Sequence, residues 1–83
     1  MFDLTGKTAL VTGSGQGVGL GIARTLIDAG AIVYINDLVA DRAIAAANEL
    51  GPNARPLPFD VANFADVETA ILSADPIDIL VNN

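Results

Sequence analysis

The chain contains no cysteine, no histidine and no tryptophan. Without cysteine no disulfide or thiolate-metal site can form, and without histidine the usual zinc ligands are gone, so no metal site is expected. Basic residues are also scarce: four Lys and Arg stand against ten Asp and Glu, a net charge of −6. No cluster of cations exists to follow a nucleic-acid backbone or an anionic membrane, so neither is an expected partner. The opening Met1-Phe2-Asp3-Leu4-Thr5-Gly6-Lys7 has neither a basic n-region nor a long apolar run, and no segment reaches membrane-spanning length. A cytoplasmic protein is expected.

What the chain does have is aliphatic. Hydrophobic residues make up 52% of it, with Ala, Val, Ile and Leu dominant and only three Phe and one Tyr. Its 83 residues make at most one small domain. Such a domain buries roughly 60–65% of its unfolded surface, so its stability should be marginal.

One stretch organises the rest. Thr12-Gly13-Ser14-Gly15-Gln16-Gly17-Val18-Gly19 lies between the apolar run Ala9-Leu10-Val11 and the helix-like run from Val18 to Ala29. Four glycines in eight residues describe a tight turn where backbone approaches a ligand closely, because residues without a Cβ allow that approach. The helix start behind it offers free N–H groups and the positive end of a macrodipole, which suits a phosphate.

The remaining elements alternate. Lys7 to Val11 reads as a strand apolar on both faces. The helix from Val18 to Ala29 follows, with Gly30 as its C-cap. A second strand, Ala31 to Ile35, ends in Asn36-Asp37, and a second helix runs from Val39 to Leu50 before Gly51-Pro52. Arg55 to Phe59 reads as an edge strand, since Pro56 and Pro58 cannot donate to a ladder. Asn63 and Asp66 resemble a capping box for a third helix that stops before Pro76, and Ile77 to Val81 forms a fourth strand. With right-handed crossovers this gives an α/β fold with a parallel sheet ordered 3-2-1-4. The first two helices cover one face and the third the other, and ligands bind at the switch point between strands 1 and 4.

Asp37 stands at the end of strand 2, 18 residues beyond Gly19. A carboxylate there can accept hydrogen bonds from an adenosine ribose and would repel a 2′-phosphate, while positions 14–16 and 38 carry no Lys or Arg to offset it. NAD is therefore expected over NADP. Asp60-Val61 and Asn82-Asn83 close strands 3 and 4, and on the residues alone they read equally as turn residues.

Over essentially its whole length the chain resembles the short-chain dehydrogenases/reductases. The resemblance is carried by Gly6-Lys7, by Ala9-Leu10-Val11-Thr12-Gly13, by the T-G-x-x-x-G-x-G pattern on Gly13, Gly17 and Gly19, by Asn36-Asp37, by Asp60-Val61, and by Asp78-Ile79-Leu80-Val81-Asn82-Asn83. It implies a three-layer Rossmann-type fold, with residues 1–83 as the N-terminal part of a single NAD(P)-binding domain truncated after its fourth strand. It also implies cofactor-binding roles for Gly13, Gln16, Gly17, Val18, Gly19, Asp37, Leu38, Asp60, Val61 and Asn82. Asp60 would hold the adenine amino group, Val61 would pack on the adenine ring, and the backbone at Asn82 would lie near the adenosine ribose. Gly15 and Gln16 depart from the Ser and Arg common in the family, and an uncharged Gln16 is in keeping with NAD.

Catalysis in that family uses Tyr-x-x-x-Lys and a serine. Here the single tyrosine, Tyr34, is followed four residues later by Leu38, the only lysine is Lys7, Ser14 lies in the glycine turn and Ser73 on the third helix. No catalytic residue is assigned, and Tyr34 is expected to be a buried strand residue. The resemblance thus implies the cofactor-binding half of an oxidoreductase that moves hydride between NAD(H) and an alcohol or carbonyl substrate. The complete enzyme would be a homodimer or homotetramer. A dinucleotide-binding or sensing protein without enzymatic activity is the alternative on the same fold. A methyltransferase using S-adenosylmethionine also fits Gly13-x-Gly15-x-Gly17, but Val11 stands where those enzymes carry an acidic residue.

Overall fold

The computed structural model describes residues 3–83. Its elements are β1 (Thr8–Val11), α1 (Gly17–Asp28), β2 (Ile32–Ile35), α2 (Ala40–Leu50), β3 (Ala54–Pro56), α3 (Phe64–Ser73) and β4 (Ile79–Val81). The four strands form one parallel sheet ordered β3-β2-β1-β4, as the alternating pattern predicts.

The two central strands are almost wholly apolar because both sheet faces are covered there. Ala9 and Val11 of β1 point with Val33 and Ile35 of β2 into a core closed by Ala23 of α1 and by Ala46 and Ala47 of α2. The intervening Leu10 and Tyr34 point the other way, onto Ala70 of α3 and onto Phe59 in the segment that follows β3. The period-two alternation of a strand thus divides one continuous apolar run between two cores. Alanine at the helix contacts lets α1 and α2 lie close to the sheet, since nothing beyond Cβ intervenes. The second core is the thinner one, and Phe64, Leu72 and Leu80 around it are largely exposed.

Several boundaries differ from those expected. The first two strands start one residue later, at Thr8 and Ile32, α1 spans Gly17–Asp28, and α2 begins at Ala40 with Val39 as its N-cap. At the end of α1 the cap is Ala29, and Gly30 is the next residue, at φ 106°. Its N–H donates to the Ile27 carbonyl (2.9 Å) and that of Ala31 to Leu26 (3.1 Å), a paired closure that needs the left-handed glycine.

β3 covers Ala54–Pro56 rather than residues 55–59. Leu57 N–H still donates to Ile35 O (2.8 Å), but Pro58 has no N–H to continue and the chain leaves the sheet. β4 begins at Ile79, two residues later than expected. Asp78 anchors its start, with its N–H donating to Thr8 O (2.8 Å) and its Oδ2 accepting from Thr8 N–H (2.9 Å). At the start of α3, Asn63 Oδ1 accepts from Asp66 N–H (3.1 Å). Among the described residues no reciprocal bond from the Asp66 carboxylate forms, so only half of the expected capping box is present. Tyr34 is buried in β2 as expected, and its hydroxyl accepts from Asp75 N–H (3.1 Å).

Candidate functional site

Because all strands are parallel, their C-terminal ends deliver three loops and Asn82-Asn83 to one end of the sheet. There Gly13, Asp37, Leu38, Asp60, Val61 and Asn82 line one cleft, together with Thr12, Asn36, Phe59 and Asn83. The cleft measures about 270 Å³. Ligand sites typically run roughly 300–1,000 Å³, so this one has room for a nucleoside end rather than a whole dinucleotide. Leu38 and Val61 leave most of their surface exposed at the cleft, so it offers apolar contacts to a flat ring as well as polar ones.

Gln16, Gly17, Val18 and Gly19 do not line that cleft; they form the adjoining loop and the first turn of α1. Gly13 and Gly17 have φ of 61° and 60°, a conformation side chains rarely adopt. A Cβ at Gly19 would collide with the Gly13 carbonyl oxygen and stand 2.8 Å from Asn83 Nδ2. Glycine there lets the helix begin directly against the loop. Gln16 caps α1 in an extended conformation without a side-chain hydrogen bond, and the first turn holds no acidic residue. The leading N–H groups of α1 thus remain available to an anion.

The loop is anchored from two sides. Ser14, fully buried, donates its hydroxyl to Val11 O (2.7 Å) and accepts from Asn36 N–H (3.0 Å), while its own N–H donates to Asn36 O (2.7 Å). Asn36 is equally buried; its Oδ1 accepts from Gly13 N–H (3.1 Å) and its Nδ2 donates to Leu57 O (3.2 Å) and Phe59 O (3.1 Å). One amide therefore fixes both the start of the glycine loop and the exit from β3. From β4, Asn83 N–H donates to the Thr12 hydroxyl (2.9 Å) and Asn83 Nδ2 to Gly13 O (3.3 Å).

The Asp37 carboxylate is divided between the protein and the cleft. Oδ1 accepts from Val39 N–H (2.9 Å) and from Arg42 Nε (3.1 Å). Oδ2 forms no hydrogen bond among the described residues and lies over Gly15, where a Cβ would collide with it. Gly15, an outlier in the sequence pattern, is thereby explained. Asp60 Oδ1 accepts from Ala62 N–H (2.9 Å), a local turn that holds the carboxylate at the cleft wall.

Residues 7–83 match the family model described as short chain dehydrogenase. This chain belongs to the short-chain dehydrogenase family. Among its family relatives, the 5-keto-D-gluconate 5-reductase of Escherichia coli K12 is 40% identical over 90 residues, covering all of this chain and 35% of the relative. The galactitol 2-dehydrogenase of Agrobacterium fabrum is 39% identical over 84 residues, covering 96% of this chain and 33% of the relative. A gluconate 5-dehydrogenase from Burkholderia cenocepacia, solved in complex with NADP and tartrate, superimposes with a TM-score of 0.88 at 43% identity, covering 95% of this chain and 34% of that one. The chain spans about a third of the length of the relatives it matches.

Asn36, Thr12, Phe59, Asn83 and Arg42 were not among the site residues expected from the sequence. A polar residue closing each apolar strand was the available signal for Asn36 and Asn83. Arg42 gave none, because it reaches Asp37 across five residues from the next helix.

Proposed function

We propose that this chain binds the adenosine and pyrophosphate portion of NAD, and that the whole protein is an NAD-dependent oxidoreductase of alcohols and carbonyls. The observation that carries the reading is the junction of three features at one end of the sheet: an uncapped α1 N-terminus behind Gly13, Gly17 and Gly19, a carboxylate oxygen of Asp37 over Gly15, and the exposed Leu38 and Val61 at the cleft. The pyrophosphate would lie on the glycine loop and the leading N–H groups of α1. Asp37 Oδ2 would accept from the ribose hydroxyls, the Asp60 carboxylate would take the adenine amino group, and Leu38 and Val61 would flank the ring, with Asn82 backbone beside the ribose. Gln16 adds no charge to the loop, which supports NAD over NADP. When bound, the nicotinamide supplies or accepts hydride. The alcohol or carbonyl substrate, like assembly into a dimer or tetramer and residence in the cytoplasm, rests on kinship with the family.

Calorimetric titration with NAD tests the reading. The chain should bind saturably, and Asp37→Ala should weaken binding by roughly 10- to 150-fold, the equivalent of one lost hydrogen bond to a charged group at about 1.5–3 kcal/mol. A chain shown to be folded by circular dichroism that gave no NAD binding would refute it.

A further inference from the structure

Asp37 is not the isolated negative charge that its place in the sequence suggests. Arg42 Nε donates to its Oδ1 at 3.1 Å, with the carboxylate side chain 7% exposed and the arginine side chain 45% exposed. Neither Nη of Arg42 forms a hydrogen bond among the described residues, so the guanidinium keeps most of its donors. The other cations lie elsewhere: Lys7 precedes β1 at the opposite end of the sheet, Arg24 is bonded to Glu49 (2.7 Å), and Arg55 lies within β3. Arg42 alone of the four is hydrogen-bonded to a residue lining the cleft among the described residues.

Its position also runs against helix electrostatics. Arg42 sits in the first turn of α2, where the macrodipole disfavours a cation and where Val39 gives no side-chain cap. The Asp37 carboxylate compensates locally, and the guanidinium in turn offsets part of the charge that Asp37 presents to the cleft. An adenosine 2′-phosphate approaching Asp37 would meet a carboxylate half neutralised by a guanidinium with donors to spare, rather than a bare anion.

We propose that Arg42 is a specificity-determining residue that limits how strongly Asp37 discriminates against a 2′-phosphate, so that the site prefers NAD while still admitting NADP. The proposal rests on the dinucleotide reading above. It differs from a purely structural role for the ion pair, which would shift the affinities of both cofactors by the same factor.

The test is titration of the 83-residue chain and of Arg42→Gln and Arg42→Lys with NAD and with NADP, at low and high salt. Removing one unit charge near a doubly charged phosphate at a partly exposed site should raise the ratio of NADP to NAD dissociation constants roughly threefold to tenfold in Arg42→Gln. Arg42→Lys keeps the charge and should leave that ratio within about twofold of the parent's, and high salt should shrink the difference between Gln and Arg. An unchanged ratio in Arg42→Gln, or a tenfold rise in Arg42→Lys, overturns the assignment to Arg42 while leaving the cofactor site standing. Failure of the folded parent to bind either dinucleotide overturns both. Should Arg42→Gln not fold, the parent and Arg42→Lys decide. A lysine ratio equal to the parent's, with NADP binding weakened by salt more than NAD binding, supports the proposal; a parent whose two affinities respond equally to salt overturns it.

Discussion

Replacing Asn36 with alanine should damage this molecule more than any other single polar substitution at the site. The side chain is buried and makes three hydrogen bonds, to Gly13 N–H, Leu57 O and Phe59 O. Each is worth about 1 kcal/mol net, and each leaves a backbone group without that partner when removed, so the loss should be about 3 kcal/mol. A small single-core domain has only about 3–5 kcal/mol to lose. At about 4–8 °C per kcal/mol for a domain of this size, the melting temperature should fall by roughly 12–24 °C. With one tyrosine and no tryptophan, far-UV circular dichroism during urea and thermal unfolding is the suitable assay. Thr25→Ala serves as the control: its hydroxyl donates only to Gly21 O on an exposed helix face, and the change should stay within about 0.5 kcal/mol. An Asn36→Ala loss below about 1 kcal/mol would show that water replaces the amide freely, and that the glycine loop and the β3 exit are not held by this residue.

Other substitutions probe the same site and its surroundings. Gly15→Ala should cost about 1–2 kcal/mol by pushing the Asp37 carboxylate off Val39 N–H and Arg42, and most of that cost should vanish in the Asp37→Ala background. Additive effects in that double-mutant cycle, measured by denaturant unfolding, would mean that the two residues do not touch. Arg24→Ala removes an ion pair whose partners are both more than half exposed, and stability should change by less than about 0.5 kcal/mol. At the β4 edge, Leu80 is 63% exposed beside the thin second core. The 83-residue chain should therefore self-associate and Leu80→Lys should reduce this, as read by sedimentation velocity; a monomeric parent would contradict the expectation.

The order of elements and the sheet topology could be read from the sequence because they rest on strong local signals. Continuous apolar runs marked β1 and β2, Gly30 and Gly51 marked helix ends, and the two prolines placed β3 at the edge. The lengths of β3 and β4 were less readable, because in strands of three residues the last ladder bond decides the boundary. That bond depends on where Pro58 and Asp78 fall rather than on hydrophobic pattern. At the site, the glycine loop and Asp37 stood out by residue type and spacing. Asn36 holds partners 21 to 23 residues away in either direction, a bridging that no window on the chain displays. Arg42 was hidden for a related reason. It bonds a residue five positions back and outside its own helix, so the three- and four-residue spacing of helical ion pairs does not predict it. The consequence is chemical: the Asp37 charge that opposes a 2′-phosphate comes with its own counter-charge.

The most direct test of the account is residue-resolved. Titrating the isotopically labelled chain with NAD and following backbone amide shifts by NMR should move the resonances of Gly13, Gly17, Val18 and Gly19 together with those of Asp37, Leu38, Asp60 and Val61. Resonances of α3 and of the β4 edge around Leu80 should stay in place. Shifts confined to the α3 face, or no shifts in a chain with well-dispersed spectra, would contradict the assignment of the glycine loop and its cleft as a dinucleotide site.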